Sequence, residues 1–443
     1  MSKIVLIGAN HAGTAAANTI LDHYPDAQVT IFDRNSNISY LGCGTALWIG
    51  KQIEDTSGLF YCSAETFKAK KAKVLMEAQI NNIDFDQKIV NAVDKDGNDV
   101  SQEYDKLILA TGSLPIMPRI TGIDLANIFC VKLYQDAIKI NECLLDENIK
   151  RVAIMGAGYI GVEIAEAVQR RGKEALLFDI EDRSLASYYD EWFTKDMDEN
   201  LAKNGVQLHL GEKIVEFKGD AKVNSVVTDK GEYNVDMVIL AIGFRPNNEL
   251  GKDSLELFSN GAYKVNKRQE TSKKDVYAIG DCATVYSNAL QATSYIALAT
   301  NAVRSGVVAA HNVCGTELES NGVQGSNGIS IYGYNMVSTG LTEKAASLAG
   351  FEVLSTQFED LQKPAFIKNN HKVKIKIVYC AKTRRILGAQ IASFEEISMA
   401  IHMFSLAIEQ KVTIDSLKLL DIFFLPHFNQ PYNYITMAAL TAK

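Results

Sequence analysis

The chain has 443 residues, enough for about three domains and for a core that needs no disulfide or metal to stabilise it. Apolar residues make up 47% and charged residues 22%, which excludes disordered and fibrous proteins, and a net charge of −8 argues against nucleic-acid binding. No apolar run reaches the roughly 18 residues of a membrane span, so the sequence predicts a cytoplasmic protein without a membrane partner.

The N-terminal residues predict a strand, a glycine turn, a helix and a second strand. An apolar run over residues 3–7 leads into Gly8-Ala-Asn-His-Ala-Gly13, a helix is expected to about His23, and Val29-Thr-Ile-Phe32 ends at Asp33. Such a turn binds the pyrophosphate of a dinucleotide, and the acidic residue binds its ribose. Asn10 replaces the second glycine and His11 follows it, which predicts a dinucleotide site with altered surroundings of the pyrophosphate. The structural alternative is that both residues only cap the helix.

Cys43 lies between two glycines and ahead of a predicted helix. Glycine neighbours let a ligand approach the backbone, and a helix N-terminus stabilises a thiolate. The seven cysteines form no CxxC pair or His cluster, so neither a disulfide framework nor a metal site is indicated. Trp48 occupies the stretch where a second redox cysteine would be needed, and Cys62 has no support as a partner. We therefore expect a lone low-pKa thiolate that peroxide converts to sulfenic acid.

The βαβ pattern recurs after a stretch, Pro115 to Lys150, that is expected to be a connection. Residues 151–155 lead into Gly156-Ala-Gly-Tyr-Ile-Gly161, a helix is expected to about Arg171, and a strand ends at Asp179. A carboxylate there would repel a 2′-phosphate, which favours NADH over NADPH, although Arg183 is nearby. The repeat predicts two nucleotide-binding domains in one chain.

Two dinucleotide sites in one chain suggest that electrons pass from one cofactor to the other. If NADH occupies the second site, we expect FAD at the first, because its flavin accepts hydride. Further strands are predicted at 104–110, 235–242 and 276–279, and a helix from about Ser294 to Val313.

The last 120 residues predict a third domain of the α+β class. Residues 373–379 alternate apolar and basic side chains, a polar turn follows, and residues 386–391 form a return strand. A helix is expected from about Ser398 to Gln410.

Taken together, the two glycine turns, residues 39–50 around Cys43 and the Tyr277-Ala-Ile-Gly-Asp281 segment resemble the single-cysteine branch of the FAD-dependent pyridine nucleotide-disulfide oxidoreductases. Within that branch, the chain is most similar to members that reduce O2 to water with NADH. The resemblance implies a glutathione-reductase-like α/β fold. An FAD domain (1–114 and 245–320) is interrupted by an NADH domain (115–244), and a C-terminal dimerisation domain (321–443) follows.

The resemblance also implies the cofactors and the assembly. FAD is expected to be tightly bound, NADH and O2 are the substrates, and the chain forms a homodimer or higher homo-oligomer in which each interface domain completes its partner's site. Cys43, cycling between thiolate and sulfenic acid, and His11 are the implied catalytic residues.

The implied site residues are carried over by position. The FAD contacts are Gly8, Asn10, His11, Ala12, Gly13, Asp33, Arg34, Cys43, Thr111, Gly112, Ser113, Lys132, Asp281, Leu298, Ala299 and Thr300. The NADH contacts are Gly156, Gly158, Tyr159, Ile160, Gly161, Asp179, Tyr188, Gly243 and Gly328, and Phe424 is expected to approach the partner's flavin.

Three other functions remain open on the sequence. An NADH peroxidase would use the same cysteine and histidine on H2O2, and the residues alone do not decide between O2 and H2O2. A coenzyme A-disulfide reductase would form a mixed disulfide at Cys43. A non-enzymatic redox sensor would bind both cofactors without turnover.

Overall fold

The computed structural model describes residues 2–443, and it begins with a parallel sheet built around the first glycine turn. The sheet order is β18-β7-β1-β2-β3. Its first strand is buried along four of its five residues, as expected for a parallel sheet covered on both faces. The elements up to residue 115 are β1 (Lys3–Ile7), α1 (His11–His23), β2 (Gln28–Phe32), α2 (Thr45–Ile49), α3 (Ala64–Ala69), β3 (Lys73–Leu75), β4 (Gln79–Asp84), β5 (Ile89–Val93), β6 (Asp99–Glu103), β7 (Lys106–Leu109) and β8 (Ser113–Pro115).

A second parallel sheet surrounds the second glycine turn, with strand order β12-β11-β10-β16-β9. Its segment contains β9 (Ile128–Cys130), α4 (Tyr134–Leu145), β10 (Arg151–Met155), α5 (Tyr159–Arg170), β11 (Glu174–Asp179), α6 (Glu191–Lys203), β12 (Gln207–Leu210), β13 (Ile214–Lys218), β14 (Ser225–Thr228), β15 (Glu232–Asn234), β16 (Met237–Leu240) and β17 (Phe244–Pro246). The two sheets confirm the predicted pair of Rossmann-like domains.

The stretch from Pro115 to Lys150 is not the plain connection that the sequence suggested. It contributes β9, which pairs in parallel with β16, and the twelve-residue helix α4. The helix buries Ala137, Ile140 and Leu144, an amphipathic spacing that the sequence interpretation overlooked.

The chain crosses between the two sheets twice, at neighbouring places. On the way out it forms β8 and on the way back β17, and these two strands pair antiparallel, with Ser113 opposite Pro246. It then adds β18 (Val276–Ala278), β19 (Val285–Ser287), β20 (Ala292–Ser294) and α7 (Ala299–Val313). Strand β18 pairs with β7, so the first sheet is built from residues that precede the second sheet in the chain and residues that follow it.

Helix α7 begins later than the sequence predicted. Residues Ala292–Ser294 form a strand that pairs with β19, and the helix starts at Ala299 rather than near Ser294. The run Thr293-Ser-Tyr-Ile296 is rich in β-branched and aromatic residues, which favour extended backbone.

The C-terminal domain is an antiparallel sheet with helices, as predicted. Its order is β21-β22-β25-β24-β23. The elements are β21 (Asn327–Ile331), β22 (Tyr334–Gly340), α8 (Glu343–Leu348), β23 (Val353–Leu361), β24 (Lys372–Cys380), β25 (Ile386–Ser393), α9 (Ser398–Glu409) and α10 (Tyr434–Leu440). No helix within residues 2–443 combines the length and apolarity needed to cross a bilayer.

The alternating basic side chains of β24 are not all at a solvated face. Lys376 is 5% exposed and pairs with Asp190 at 3.0 Å and with Glu343 at 2.6 Å. Lys374 pairs with Asp196 at 2.6 Å. Because Asp190 and Asp196 belong to the α6 region, these lysines join the C-terminal sheet to the second Rossmann-like domain.

Candidate active site

The first glycine turn packs closely against the residue that follows β7 and against the start of α1. Gly8 has a φ of 98°, and a Cβ there would collide with the carbonyl oxygen of Ala110. A Cβ on Gly13 would collide with the carbonyl oxygen of Gly8. Both glycines are therefore required by close packing of helix and strands. The amide of Ala9 donates to the Asp33 carboxylate at 2.7 Å, which fixes that buried side chain at the turn.

A cavity of about 430 Å3 opens along this turn. The structure brings most of the predicted FAD contacts to its wall: Gly8, Asn10, His11, Ala12, Gly13, Asp33, Arg34, Thr111, Gly112, Ser113, Lys132 and Asp281. Cys43, Leu298, Ala299 and Thr300 are not among the lining residues. Ala302, in the first turn of α7, does line the cavity, so α7 approaches it by that face.

The sequence interpretation missed a large part of the cavity wall. The unforeseen lining residues include Asn35, Asn37, Tyr40, Ala78, Gln79, Ile80, Asn81, Leu133, Tyr134, Gln135, Asn247, Glu249 and Leu250. Residues 133–135 lie in the stretch that was expected to be a connection, and residues 78–81 carry no motif. Asn247 could have been found from the sequence, because it follows Gly243 and Pro246, which mark a turn where the chain returns to the first sheet.

Two of the missed residues carry buried polar atoms without partners. The side-chain oxygens Oε1 of Gln135 and Oδ1 of Asn247 have no hydrogen bond within residues 2–443. Buried polar atoms are normally satisfied, so unpartnered ones in a cavity wall indicate a polar ligand.

A lysine, a serine and an aspartate from three chain segments form a hydrogen-bonded network at the cavity. Lys132 Nζ donates to Ser113 Oγ at 2.8 Å, and Ser113 Oγ donates to Asp281 Oδ2 at 2.9 Å. Lys132 Nζ also lies 4.3 Å from the ring centroid of Phe244. The network places one positive and one negative charge side by side at the cavity wall.

His11 is the first residue of α1, and its ring reaches the cavity wall. Burial lowers the pKa of His11, Asp281 opposes this effect, and Lys132 adds to it. Its Nδ1 lies 2.9 Å from the hydroxyl of Tyr61, and the two ring planes are 4° from parallel. The neighbouring Asn10 is the N-cap residue, but its side chain makes no capping hydrogen bond. Simple capping therefore does not account for Asn10.

Cys43 lies in a 3-10 turn, Gly42–Gly44, which α2 continues. The low pKa expected from the sequence is not found. Solvent reaches the residue, but partial burial among its neighbours raises the pKa of the thiol, and the charge of Glu163 raises it further. Helix α2 has only five residues, so its N-terminus is a weak source of thiolate stabilisation.

Two further features surround Cys43. Gly44 packs against Leu59, since a Cβ there would overlap with the end of that side chain. Trp48 stacks on Tyr134 with ring centroids 5.4 Å apart, and Tyr40 and Phe60 contact the same tyrosine. The position considered for a second cysteine thus belongs to an aromatic cluster, and all cysteines within residues 2–443 are free thiols.

The second glycine turn repeats the first in detail. The amide of Ala157 donates to Asp179 at 2.5 Å, as Ala9 does to Asp33, and a Cβ on Gly161 would collide with the carbonyl oxygen of Gly156. Gly158 differs, because a Cβ there would meet only the Tyr188 ring, at 3.8 Å. Backbone at Gly158 is therefore open to a ligand.

Predicted NADH contacts gather around this turn. The rings of Tyr159 and Tyr188 pack edge to face at 4.5 Å, and Tyr188 is 43% exposed. The hydroxyl of Tyr159 contacts the side-chain oxygen of Asn327, the neighbour of Gly328, which brings Gly328 to the same region. Asn327 itself was not predicted. Ile160 lies in the first turn of α5.

Gly243, Arg183 and Phe424 lie apart from these contacts. Gly243 has a φ of 103° just after β16, the strand next to β10. Arg183 pairs with the adjacent Asp182 at 3.2 Å. Phe424 lies outside the cavity, 47% exposed in an apolar C-terminal segment that also exposes Leu419, Phe423 and Phe428.

The arrangement has the parts of a two-nucleotide redox site. One cavity carries a glycine turn, a neutral imidazole and a charged pair, and a second glycine turn carries a carboxylate and an exposed tyrosine. The charges of Lys132 and Asp281 act on the pKa of His11 and also on that of Cys43, a thiol without a disulfide partner. Within residues 2–443 no cluster of three or more His, Cys, Asp or Glu side chains is arranged to hold a metal.

Comparison with known proteins gives consistent matches along the whole chain. The model of the pyridine nucleotide-disulphide oxidoreductases matches residues 2–306, and that of their dimerisation domain matches residues 329–433. The chain is 59% identical to an NADH oxidase of Lactococcus lactis subsp. cremoris and 42% identical to an NADH oxidase of Enterococcus faecalis, with at least 99% of each chain covered. A solved water-forming NADH oxidase from Lactobacillus brevis, bound to NADH, superposes with a TM-score of 0.96 at 37% identity, covering 99% of this chain and 98% of that one.

Proposed function

The chain belongs to the pyridine nucleotide-disulphide oxidoreductase family, and we propose that it is an FAD-dependent NADH oxidase that reduces O2 to water. In the overall reaction, two NADH, one O2 and two protons give two NAD+ and two water molecules. The observation that carries the proposal is a thiol without a disulfide partner, Cys43, on which two charges at the wall of the dinucleotide cavity, Lys132 and Asp281, act as they do on His11. The NADH oxidases similar to this chain along its full length support it.

The residues of the first cavity fit FAD. Gly8 and Gly13 let α1 pack closely against the strands, and the N-terminus of α1, which lies at the cavity, favours an anion such as a pyrophosphate. Asp33 and Arg34 lie at the ribose end of the turn, and the unpartnered oxygens of Gln135 and Asn247 offer acceptors to the ligand. Bound FAD would supply the hydride acceptor and the two-electron reduction of O2. We assign its domain to residues 1–114 and 245–320.

The second turn, in residues 115–244, would bind NADH. The open backbone at Gly158 and the N-terminus of α5 suit the pyrophosphate, and Asp179 suits the adenosine ribose. Arg183 pairs through Nη1 with the exposed Asp182, and its Nε has no partner within residues 2–443, so the discrimination against a 2′-phosphate rests on the charge of Asp179. These features support a preference for NADH. Gly328 and Gly243 would border this site.

Cys43 would convert peroxide to water. Its sulfur attacks one peroxide oxygen, the S–O bond forms as the O–O bond breaks, and the thiol and H2O2 give sulfenic acid and one water. A hydride equivalent from a second NADH, that is two electrons and one proton, together with one further proton then returns the sulfenic acid to the thiol and releases the second water. His11 would hold the peroxide or move protons at this step.

The assembly would be a homodimer built on the C-terminal domain, 321–443. Its match to a dimerisation-domain model supports this, and the exposed apolar segment around Phe424 provides a surface for a second copy. In that assembly we expect Phe424 to approach the partner's flavin.

The stoichiometry of NADH to O2 tests the proposed function. Purified FAD-bound protein should consume two NADH per O2, and added catalase should leave the ratio unchanged because no H2O2 is released. A ratio near one that catalase alters would indicate a peroxide-forming oxidase. Turnover under anaerobic conditions with H2O2, without O2 consumption in air, would indicate a peroxidase, and Cys43 captured as a coenzyme A mixed disulfide would indicate a disulfide reductase.

A further inference from the structure

The hydroxyl of Tyr61 is the one hydrogen-bond partner of the His11 ring within residues 2–443. It lies 2.9 Å from Nδ1, and no side chain or backbone group bonds Nε2. We propose that Tyr61 is a positioning residue that donates to Nδ1 and so keeps the imidazole proton on Nε2, available to an oxygen of the substrate. This inference rests on the proposed function, in which His11 acts at the reacting oxygen.

The first step is that His11 is neutral. Burial lowers the pKa of His11, and the charged groups that act on it are Asp281, which raises its pKa, and Lys132, which lowers it. The position at the N-terminus of α1 also disfavours a positive charge. A neutral imidazole has one N–H and one acceptor nitrogen, so the partner of Nδ1 decides which nitrogen holds the proton.

The second step is that Tyr61 is the donor. Partial burial raises the pKa of Tyr61 to about 12, although a hydrogen bond with the Thr14 side chain lowers it, so the phenol keeps its proton. A phenol is a better donor than acceptor, because its oxygen lone pair is delocalised into the ring. An imidazole nitrogen is in turn a strong acceptor. The two ring planes are 4° from parallel, with centroids 5.8 Å apart.

The third step is that the backbone of Tyr61 is fixed relative to α1. Ser39, which is fully buried, accepts hydrogen bonds at its Oγ from the amides of Tyr61 at 3.1 Å and Cys62 at 2.8 Å. The amide of Ser39 donates to the carbonyl of Ala9 at 3.1 Å, two residues before His11. The backbone of Tyr61 is thus tied to the glycine turn that carries the histidine.

Nitrogen-15 NMR of the FAD-bound protein, with histidine labelled on its ring nitrogens, tests the inference directly. His11→Gln identifies the His11 signals. In the wild type we expect Nε2 to show the chemical shift of a protonated nitrogen and Nδ1 that of an acceptor. In Tyr61→Phe both shifts should move towards each other as the second tautomer becomes populated, and the titration midpoint of His11 should rise, because the bond to the neutral form is lost.

The chain offers a matched control in a second tyrosine–histidine pair. The hydroxyl of Tyr24 lies 2.7 Å from Nδ1 of His311, at the far end of α1. Tyr24→Phe should change the His311 nitrogen shifts and leave those of His11 and the turnover unchanged. A proton on Nδ1 of His11 in the wild type, or His11 shifts that are the same in Tyr61→Phe, would overturn the inference.

Activity measurements separate this inference from the proposed function. In Tyr61→Phe we expect slower NADH oxidation at unchanged KM for NADH, with the acidic limb of the pH profile moved to higher pH. Unchanged turnover and an unchanged profile would count against a positioning role. If the wild type shows the predicted nitrogen shifts but does not consume O2, the proposed function fails while the tautomer assignment stands.

Discussion

Lys132 Nζ lies 3.5 Å from Asp281 Oδ2, and the hydroxyl of Ser113 bridges the two groups. Both charges act on His11 and on Cys43, and they do so with opposite sign. Lys132 lowers the pKa of each group and Asp281 raises it. Because the charges are adjacent, their effects partly cancel, and removing one exposes the effect of the other.

Replacing Lys132 with methionine should therefore raise the pKa of Cys43. The alkylation rate of the reduced FAD-bound protein with iodoacetamide, measured against pH, reports the thiolate fraction. We expect the Lys132→Met curve to lie at higher pH than the wild-type curve. Lys139→Met, which removes an exposed lysine from α4, should leave it in place. A shift to lower pH in Lys132→Met would contradict the assigned electrostatics.

Replacing Glu163 with glutamine should have the opposite effect. Burial raises the pKa of Glu163 to about 7, and its charge raises the pKa of Cys43. Below pH 7 the wild-type carboxyl is mostly neutral, so alkylation rates should be alike. Above pH 7 the variant should react faster, because the thiolate no longer faces a negative charge. Glu142→Gln on α4 is the control, and equal rates across the whole range would rule out an effect of Glu163 on the thiol.

Cys43→Ser should still oxidise NADH but release H2O2. Without the sulfur, peroxide is not reduced, so the ratio of NADH to O2 should fall from two to one and become sensitive to catalase. A peroxide assay and an oxygen electrode measure both quantities. Cys62→Ser should keep the ratio at two. A ratio that falls equally in both variants would point instead to a dithiol mechanism.

Asp179→Asn should weaken NADH binding and reduce discrimination against NADPH. The amide keeps an acceptor for Ala157 but loses the charge offered to the ribose hydroxyls, so we expect KM for NADH to rise about tenfold. Steady-state kinetics with both nucleotides give the comparison. Glu181→Gln removes a charge two residues away and serves as the control, and an equal rise there would remove Asp179 from the ribose site.

Lys376→Met should destabilise the protein by about 3 kcal/mol, because it leaves the largely buried Asp190 without its cation. Urea unfolding measures the difference. Lys372→Met on the same strand removes an exposed pair with Glu359 and should cost less than about 1 kcal/mol. Equal costs for the two variants would refute the special role of Lys376.

This stability difference should also depend on pH. The hydrogen bond from Lys376 lowers the pKa of Glu343 below the ordinary value of 4.5. A carboxyl with a lowered folded-state pKa contributes stability above 4.5, and that contribution is lost as the pH falls through the lower value. The gap between the wild type and Lys376→Met should therefore narrow in acid.

The sequence predicted the parts of the fold that depend on local pattern. The two glycine turns, Asp33, Asp179 and the strands beside them follow a period and a spacing that one chain reveals. It did not predict Gln135 or Tyr61, because their positions at the site come from contacts between segments far apart in the chain. The low pKa predicted for Cys43 was wrong for a related reason. Burial and the charge of Glu163 raise it, and both depend on the folded surroundings rather than on the adjacent short helix.

The pairing of β18 with β7 sets an order for folding during synthesis. The first parallel sheet cannot be completed until residues 276–278 have left the ribosome, whereas the second sheet has all its strands by residue 240. The inserted domain can therefore fold while the first sheet still lacks its edge, leaving β7 exposed to wrong partners in the nascent chain. The adjacent crossings at β8 and β17 would hold the ends of the unfinished domain together during that interval.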